Sequence, residues 1–449
     1  MRLTLRRSCN ACAKAKHSCD LRTPQCSRCA KRKSQCVYAN RPLNPPTRDQ
    51  ELMKAPQPAS TAFDPFDSYP PTRLPRAHVQ RLIHHFLAHI SFQYYPLDLE
   101  MDSNPFVISW WPQALADGAL FHVSLQTASL DVELRAGQGF PISELLMADS
   151  VALVRRKVES SVLAFQNETL NSVVTLAAIE YGKGNTEASK MHIDGVKRMV
   201  SARGGISEVK RASPLTARMI SWVSLIVTGA PQFLTQDDES GGAEGIGSIP
   251  QWRLASAFSD LPNRFLDNED LDPTLRSIMR RLHTIFHQPR QMCPLTNLEL
   301  HDLTCFVIHR LLLLPDFIGQ DSKQSVTSEC LRYALVLYLL IIHGTTYYSH
   351  HDLSNNLLLR LKGHLEALGK MEDTHGPLGL WIISVGMIAS TNTAYRQWFT
   401  AQACIYAEAL NLQTWADVLL RLDQILWIQS PQESLFRQKW QEIMKVMAG

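Results

Sequence analysis

Beyond its first 36 residues this 449-residue chain has only four cysteines, Cys293, Cys305, Cys330 and Cys404, and none is closely paired with another. A disulfide framework is therefore excluded from the body of the protein, where these four read as small buried side chains. Phosphate-cradling loops are missing as well. The glycine-bearing stretch 240–247 matches neither the Walker spacing nor G-x-G-x-x-G, and it reads as a flexible loop. No H-E-x-x-H occurs: His283 and His287 stand four apart without the glutamate or a third ligand, so a surface pair is expected, and His350-His351 is isolated. No catalytic residue is predicted, and an enzyme with an appended metal head is the weakest reading. The apolar runs at 334–342 and 378–389 are too short to cross a bilayer and predict buried helices. The start Met1-Arg2-Leu3-Thr4 lacks the apolar run of a secretory signal, so reduced thiols and no membrane partner are expected.

The remaining six cysteines, Cys9, Cys12, Cys19, Cys26, Cys29 and Cys36, are crowded together as C-x2-C-x6-C-x6-C-x2-C-x6-C, a half-motif used twice. Structural zinc takes four ligands in a tetrahedron and favours thiolate, and a C-x2-C pair closes on one metal through a tight turn. Six thiols fill two tetrahedra only if two sulfurs bridge. Three disulfides would need an oxidising compartment, and iron–sulfur clusters use four cysteines at other spacings. The pattern predicts two Zn2+ per chain.

These spacings, with Pro24 between the halves, resemble the fungal binuclear zinc-cluster transcription factors, whose helix sits in the major groove. That resemblance makes Cys9 and Cys26 the bridging thiolates. It assigns Cys12 and Cys19 to one zinc site, and Cys29 and Cys36 to the other. It also implies a nuclear, sequence-specific regulator of RNA polymerase II genes whose partners are double-stranded DNA and the transcription machinery. Lys16 falls where the family's lysine reads the guanines of a CGG-like triplet; guanine offers O6 and N7 as acceptors to such a donor. The same resemblance implies that Lys14 approaches these bases, that His17 touches a base or phosphate, and that Arg6, Arg7, Arg28 and Lys31 hold the backbone. The chain departs from the family in having only two cations between Cys12 and Cys19, with Ala13, Ala15, His17 and Ser18 where charge is common. That departure favours the alternative of a scaffold or corepressor whose zinc module binds protein with little base specificity.

Residues 1–41 hold eleven Lys and Arg against a single acid, Asp20, a net of +10 from which two Zn2+ with six thiolates subtract 2. The rest of the chain carries 34 basic and 41 acidic residues, a net of −7. A basic head on an acidic body gains DNA affinity by releasing counterions. Lys31-Arg32-Lys33 also reads as a nuclear-import run. From Pro42 to Pro75, nine of 34 residues are proline, which predicts an extended linker over 42–76 and leaves no room for a coiled coil. A homodimer would then form through the large domain; binding as a monomer is the other option.

From residue 77 onward a helical period dominates, predicting one all-helical domain of roughly a dozen helices over 77–449. Val151, Val154, Val158, Val162 and Phe165 form one expected stripe, and Ser430-Pro431-Gln432-Glu433 an expected capping box. Phe436, Trp440, Ile443 and Met447 continue that last helix as its buried face. His192, Gly195 and Arg203-Gly204-Gly205, followed by 215–229, resemble the helical regulatory domain of fungal zinc-cluster regulators. The acidic stretch 266–271 reads as a solvated loop.

Overall fold

Helix-forming runs broken at prolines and glycines dictate many short helices, and the computed structural model of the protein follows that punctuation. The structure describes residues 9–20, 26–36, 69–94, 101–237, 245–257, 271–287, 295–317, 323–344, 346–369 and 376–448. The chain divides into two compact units, Met1–Asp64 and Pro65–Gly449. The first holds α1 (Asn10–Lys14) and α2 (Ser27–Lys31), whose buried residues are the cysteines themselves.

The second unit is helical. It runs through α3 (Arg76–Ala88), α4 (Trp111–Ala116), α5 (Gly118–Ala136), α6 (Pro141–Val158), α7 (Asn167–Gly182), α8 (Thr186–Ala202), α9 (Ile206–Ala212) and α10 (Pro214–Thr228). It continues with α11 (Pro250–Ser256), α12 (Pro273–His287), α13 (Asn297–Leu313), α14 (Lys323–His343), α15 (His351–Leu368), α16 (Pro377–Ala389), α17 (Arg396–Ala409), α18 (Trp415–Ile425) and α19 (Glu433–Ala448). That is seventeen α-helices among the described residues of this unit, more than the dozen expected, because prolines and glycines cut the apolar segments more often than the periodicity suggests. Strand is confined there to a two-residue parallel pairing of β1 (Thr235–Gln236) with β2 (Ile246–Gly247).

Local chemistry sets the helix ends. Asp117 accepts the Leu120 N–H at 3.0 Å to start α5, and Gly137, at φ 64°, ends it. Ser213 and Pro214 start α10, and Gly229 at φ 68° ends it. Two helices are central. Every residue of α5 from Ala119 to Leu130 is buried, as is every residue of α7 from Thr169 to Glu180. Four of their buried hydroxyls are satisfied within the helix: Ser124, Thr127, Ser172 and Thr175 each donate to the carbonyl four residues back, at 2.7–2.9 Å.

Several expectations are corrected. Residues 69–75 belong to the helical unit and not to a linker: Tyr69 stacks on Phe121 at 5.5 Å and Leu74 is buried. The stripe from Val151 to Phe165 is not one face of one helix. α6 ends at Val158, so Val162 and Phe165 fall in a turn, 74% and 41% exposed. At Ser430 no capping box forms; α19 begins at Glu433, whose N–H donates to the Ser430 carbonyl. The capping boxes stand instead at Thr296/Glu299 and Thr414/Asp417. Met447 is 37% exposed, so it leaves the buried face that Phe436, Trp440 and Ile443 share. The helix around 334–342 spans 21 residues, and by length and composition its 324–343 portion suffices to cross a membrane; 83% of its apolar window is buried inside the unit. Arg332 and Glu329, paired at 3.3 Å, hide two charges within it.

α16 packs closely on α17. A Cβ placed on Gly386 would stand 2.2 Å from the buried Phe399 ring. Gly386→Ala should therefore destabilise the helical unit by about 1–3 kcal/mol. Gly363, exposed on α15 with open space around its Cα, should give the opposite sign on conversion to Ala, by about 0.5–1 kcal/mol. Urea unfolding midpoints of the two variants check both signs.

Candidate metal centre and nucleic-acid interface

Each half of the cysteine motif folds the same way. Cys9 and Cys26 are extended residues preceding α1 and α2, and their sulfurs accept the N–H of Cys12 and of Cys29, both at 3.4 Å. The sulfur thus caps its own helix and points at the next cysteine. After each helix the chain reverses through a left-handed residue, Lys16 at φ 51° and Lys33 at φ 49°. The reversal is closed by His17 N–H to the Cys12 carbonyl (3.0 Å) and by Ser34 N–H to the Cys29 carbonyl (3.1 Å). Every such feature recurs at an offset of 17 residues. Within the second half Cys26 N–H meets the Cys36 sulfur at 3.3 Å, and the second half is tied to the residue after Cys19 where Ser27 N–H meets the Asp20 carboxylate at 3.1 Å.

The sulfurs form two groups able to hold a metal, Cys9–Cys12–Cys19–Cys26 and Cys9–Cys26–Cys29–Cys36, each with all atoms within 4.8 Å of one another. Cys9 and Cys26 are common to both. Sγ separations are 3.8 Å for Cys9–Cys26, 3.6 Å for Cys9–Cys29 and 3.7 Å for Cys12–Cys26. A tetrahedron with Zn–S of about 2.3 Å has edges of about 3.8 Å, so the donor set fits zinc. All six are free of disulfide bonds.

Without a cation this crowd of thiols is electrostatically frustrated. The Cys12 N–H draws the Cys9 thiol down to about 6, against burial. Burial, helped by the neighbouring Cys9, lifts Cys12 to about 11. At Cys26 the Cys29 N–H favours thiolate, but burial and the thiols of Cys29, Cys12 and Cys9 prevail and hold it above the ordinary range. Divalent cations remove that conflict, because a coordinating thiol is deprotonated outright.

Lys14, Lys16, His17, Arg28 and Lys31 are all exposed around this core, together with Arg32 and Lys33. Arg6 and Arg7 lie outside the described residues. Lys33 holds the same place in the second half that Lys16 holds in the first, 17 residues on. Elsewhere, His283 and His287 are not a surface pair. Their rings stack at 4.1 Å, both half-buried, and burial with the neighbouring His287 pushes His283 down to about 4. His287 instead meets Asp423 at 3.1 Å. Cys305 and Cys330 are buried, Cys404 is half-buried, and Cys293 lies outside the described residues. In the helical unit Val196 and Val200 face the core, and Gly204 and Gly205 take φ 89° and 98° as α8 ends.

Left-handed lysines are costly: an L-residue pays about 1–2 kcal/mol there that glycine does not. Lys16→Gly and Lys33→Gly should each make the head more resistant to zinc chelation, read as a higher chelator midpoint, while weakening DNA binding.

Residues 7–45 match the family model of the fungal Zn(2)-Cys(6) binuclear cluster domain, and residues 81–229 match that of the fungal specific transcription factor domain. The second match spans α3 to α10, well beyond the 192–229 stretch whose motif suggested it. No curated protein and no solved structure matches the chain. The chain therefore carries a two-zinc Zn(2)-Cys(6) cluster domain followed by a fungal specific transcription factor domain, the domain pair of a zinc-dependent transcription regulator.

Proposed function

We propose that the protein is a nuclear, sequence-specific regulator of RNA polymerase II genes that reads a CGG-like triplet in the major groove. One observation carries this reading: a cluster of sulfurs at zinc-tetrahedron spacing is ringed by exposed cations, none ion-paired among the described residues. Cys9 and Cys26 bridge the two zinc ions, Cys12 and Cys19 complete one site, and Cys29 and Cys36 the other. Lys16, with Lys14 beside it, donates to guanine O6 and N7. His17 touches base or phosphate, while Arg6, Arg7, Arg28 and Lys31 neutralise phosphates. Residues 1–41 form the DNA-binding head, the proline-rich stretch tethers it, and the helical unit carries contacts to the transcription machinery and any homodimerisation. The scaffold reading retains one supporting feature, the exposed uncharged Ala13, Ala15 and Ser18.

Selection from randomised duplex DNA by the zinc-loaded full-length protein tests the proposal. Enrichment of a guanine-rich triplet supports it; protein that holds two zinc ions and enriches nothing points to the scaffold. Cys9→Ala or Cys26→Ala should lose both metals and all DNA binding with the helical unit still folded, as followed by zinc content and thermal unfolding. Cys19→Ala should keep the ion of the untouched group. Equal zinc loss in all three would contradict the bridging assignment.

A further inference from the structure

The two halves of the head superimpose residue for residue in sequence offset, and so do their outward-facing lysines. Lys14 and Lys31 each end a five-residue helix, and Lys16 and Lys33 each occupy the left-handed reversal, two degrees apart in φ. The reversals are closed by equivalent hydrogen bonds, 3.0 and 3.1 Å long. All four lysines are exposed. Lys33 therefore leaves the backbone relative to Cys29 and Cys36 as Lys16 does relative to Cys12 and Cys19.

Two further observations favour the second half. It is the more cationic: Arg32 stands where the first half has Ala15, and Arg28 where it has Ala11. Phosphate attraction will thus bring the second half to DNA at least as readily as the first. In addition, a left-handed lysine is disfavoured where glycine or asparagine is not, and such strain gathers where a side chain has a task. The chain retains it at both equivalent positions.

We infer that the Cys26–Cys36 half is a second major-groove reading head, in which Lys33 donates to guanine O6 and N7, so that one module engages a guanine-containing triplet through either half. The inference rests on the reading of the cluster as a DNA-binding module and adds a base-reading residue to it.

The test uses the zinc-loaded full-length protein as wild type, Lys16→Met, Lys33→Met and the double variant, each with zinc content verified. Affinity is measured at one fixed salt concentration for the selected triplet duplex and for the same duplex with its guanines replaced. Either single variant should keep its preference for the guanine duplex, and the double variant should lose it, a change on the order of tenfold or more. Loss of preference in Lys16→Met alone, with Lys33→Met weakening both duplexes equally, would make Lys33 a phosphate contact and overturn the inference while leaving the proposed function intact. An unchanged preference in the double variant would overturn it too. Absence of any preference in the wild type would overturn both.

Discussion

The head depends on six sulfurs being held within a few ångströms of one another. Two five-residue helices have no apolar face to bury, and the only buried residues among those described in this unit are cysteines. What organises them is the pair of hydrogen bonds from Cys12 N–H to Cys9 and from Cys29 N–H to Cys26. Each fixes a sulfur at the start of a helix, where the peptide dipoles favour negative charge. Zinc then supplies the cohesion that a core supplies elsewhere, on the order of 10 kcal/mol for small structural sites. The lysine-bearing reversals exist only because the cysteines on either side of them are pinned.

The helical unit solves a different problem. α5, α7, α14 and α16 are buried around most of their circumference, so their hydroxyls bond inward to the backbone and their few charges pair, as Arg332 does with Glu329. Close approach between helices uses glycine, as at Gly386 against Phe399. Among the described residues, the groups of side chains placed to hold a metal lie in the head. Charge divides along the same line, a net of +9 before metal over residues 1–64 against −6 over 65–449.

How much of this was legible in the sequence varied with the range of the determining interaction. The metal centre was legible because thiol spacing is itself the geometry: C-x2-C fits one turn and one metal. The reversal after α8 was legible because Gly204 and Gly205 are the residues that tolerate positive φ. Lys16 and Lys33 gave no such notice, since nothing in lysine marks a left-handed residue; only the hydrogen bonds closing each half impose it. Val162 and Phe165 continued a helical period past the point where α6 ends, because periodicity does not report where tertiary packing stops a helix. Ser430 lost its capping box, and Thr296 and Thr414 formed theirs. The polar pattern is necessary in each case, but the surrounding packing decides which one closes.

The central claim is that two zinc ions share the sulfurs of Cys9 and Cys26. X-ray absorption at the zinc edge of the loaded full-length protein tests it most directly. The account predicts four sulfur scatterers per zinc at about 2.3 Å together with a zinc–zinc scattering path. Nitrogen or oxygen in the coordination shell, or sulfur ligation with no zinc–zinc path at two ions per chain, would contradict it.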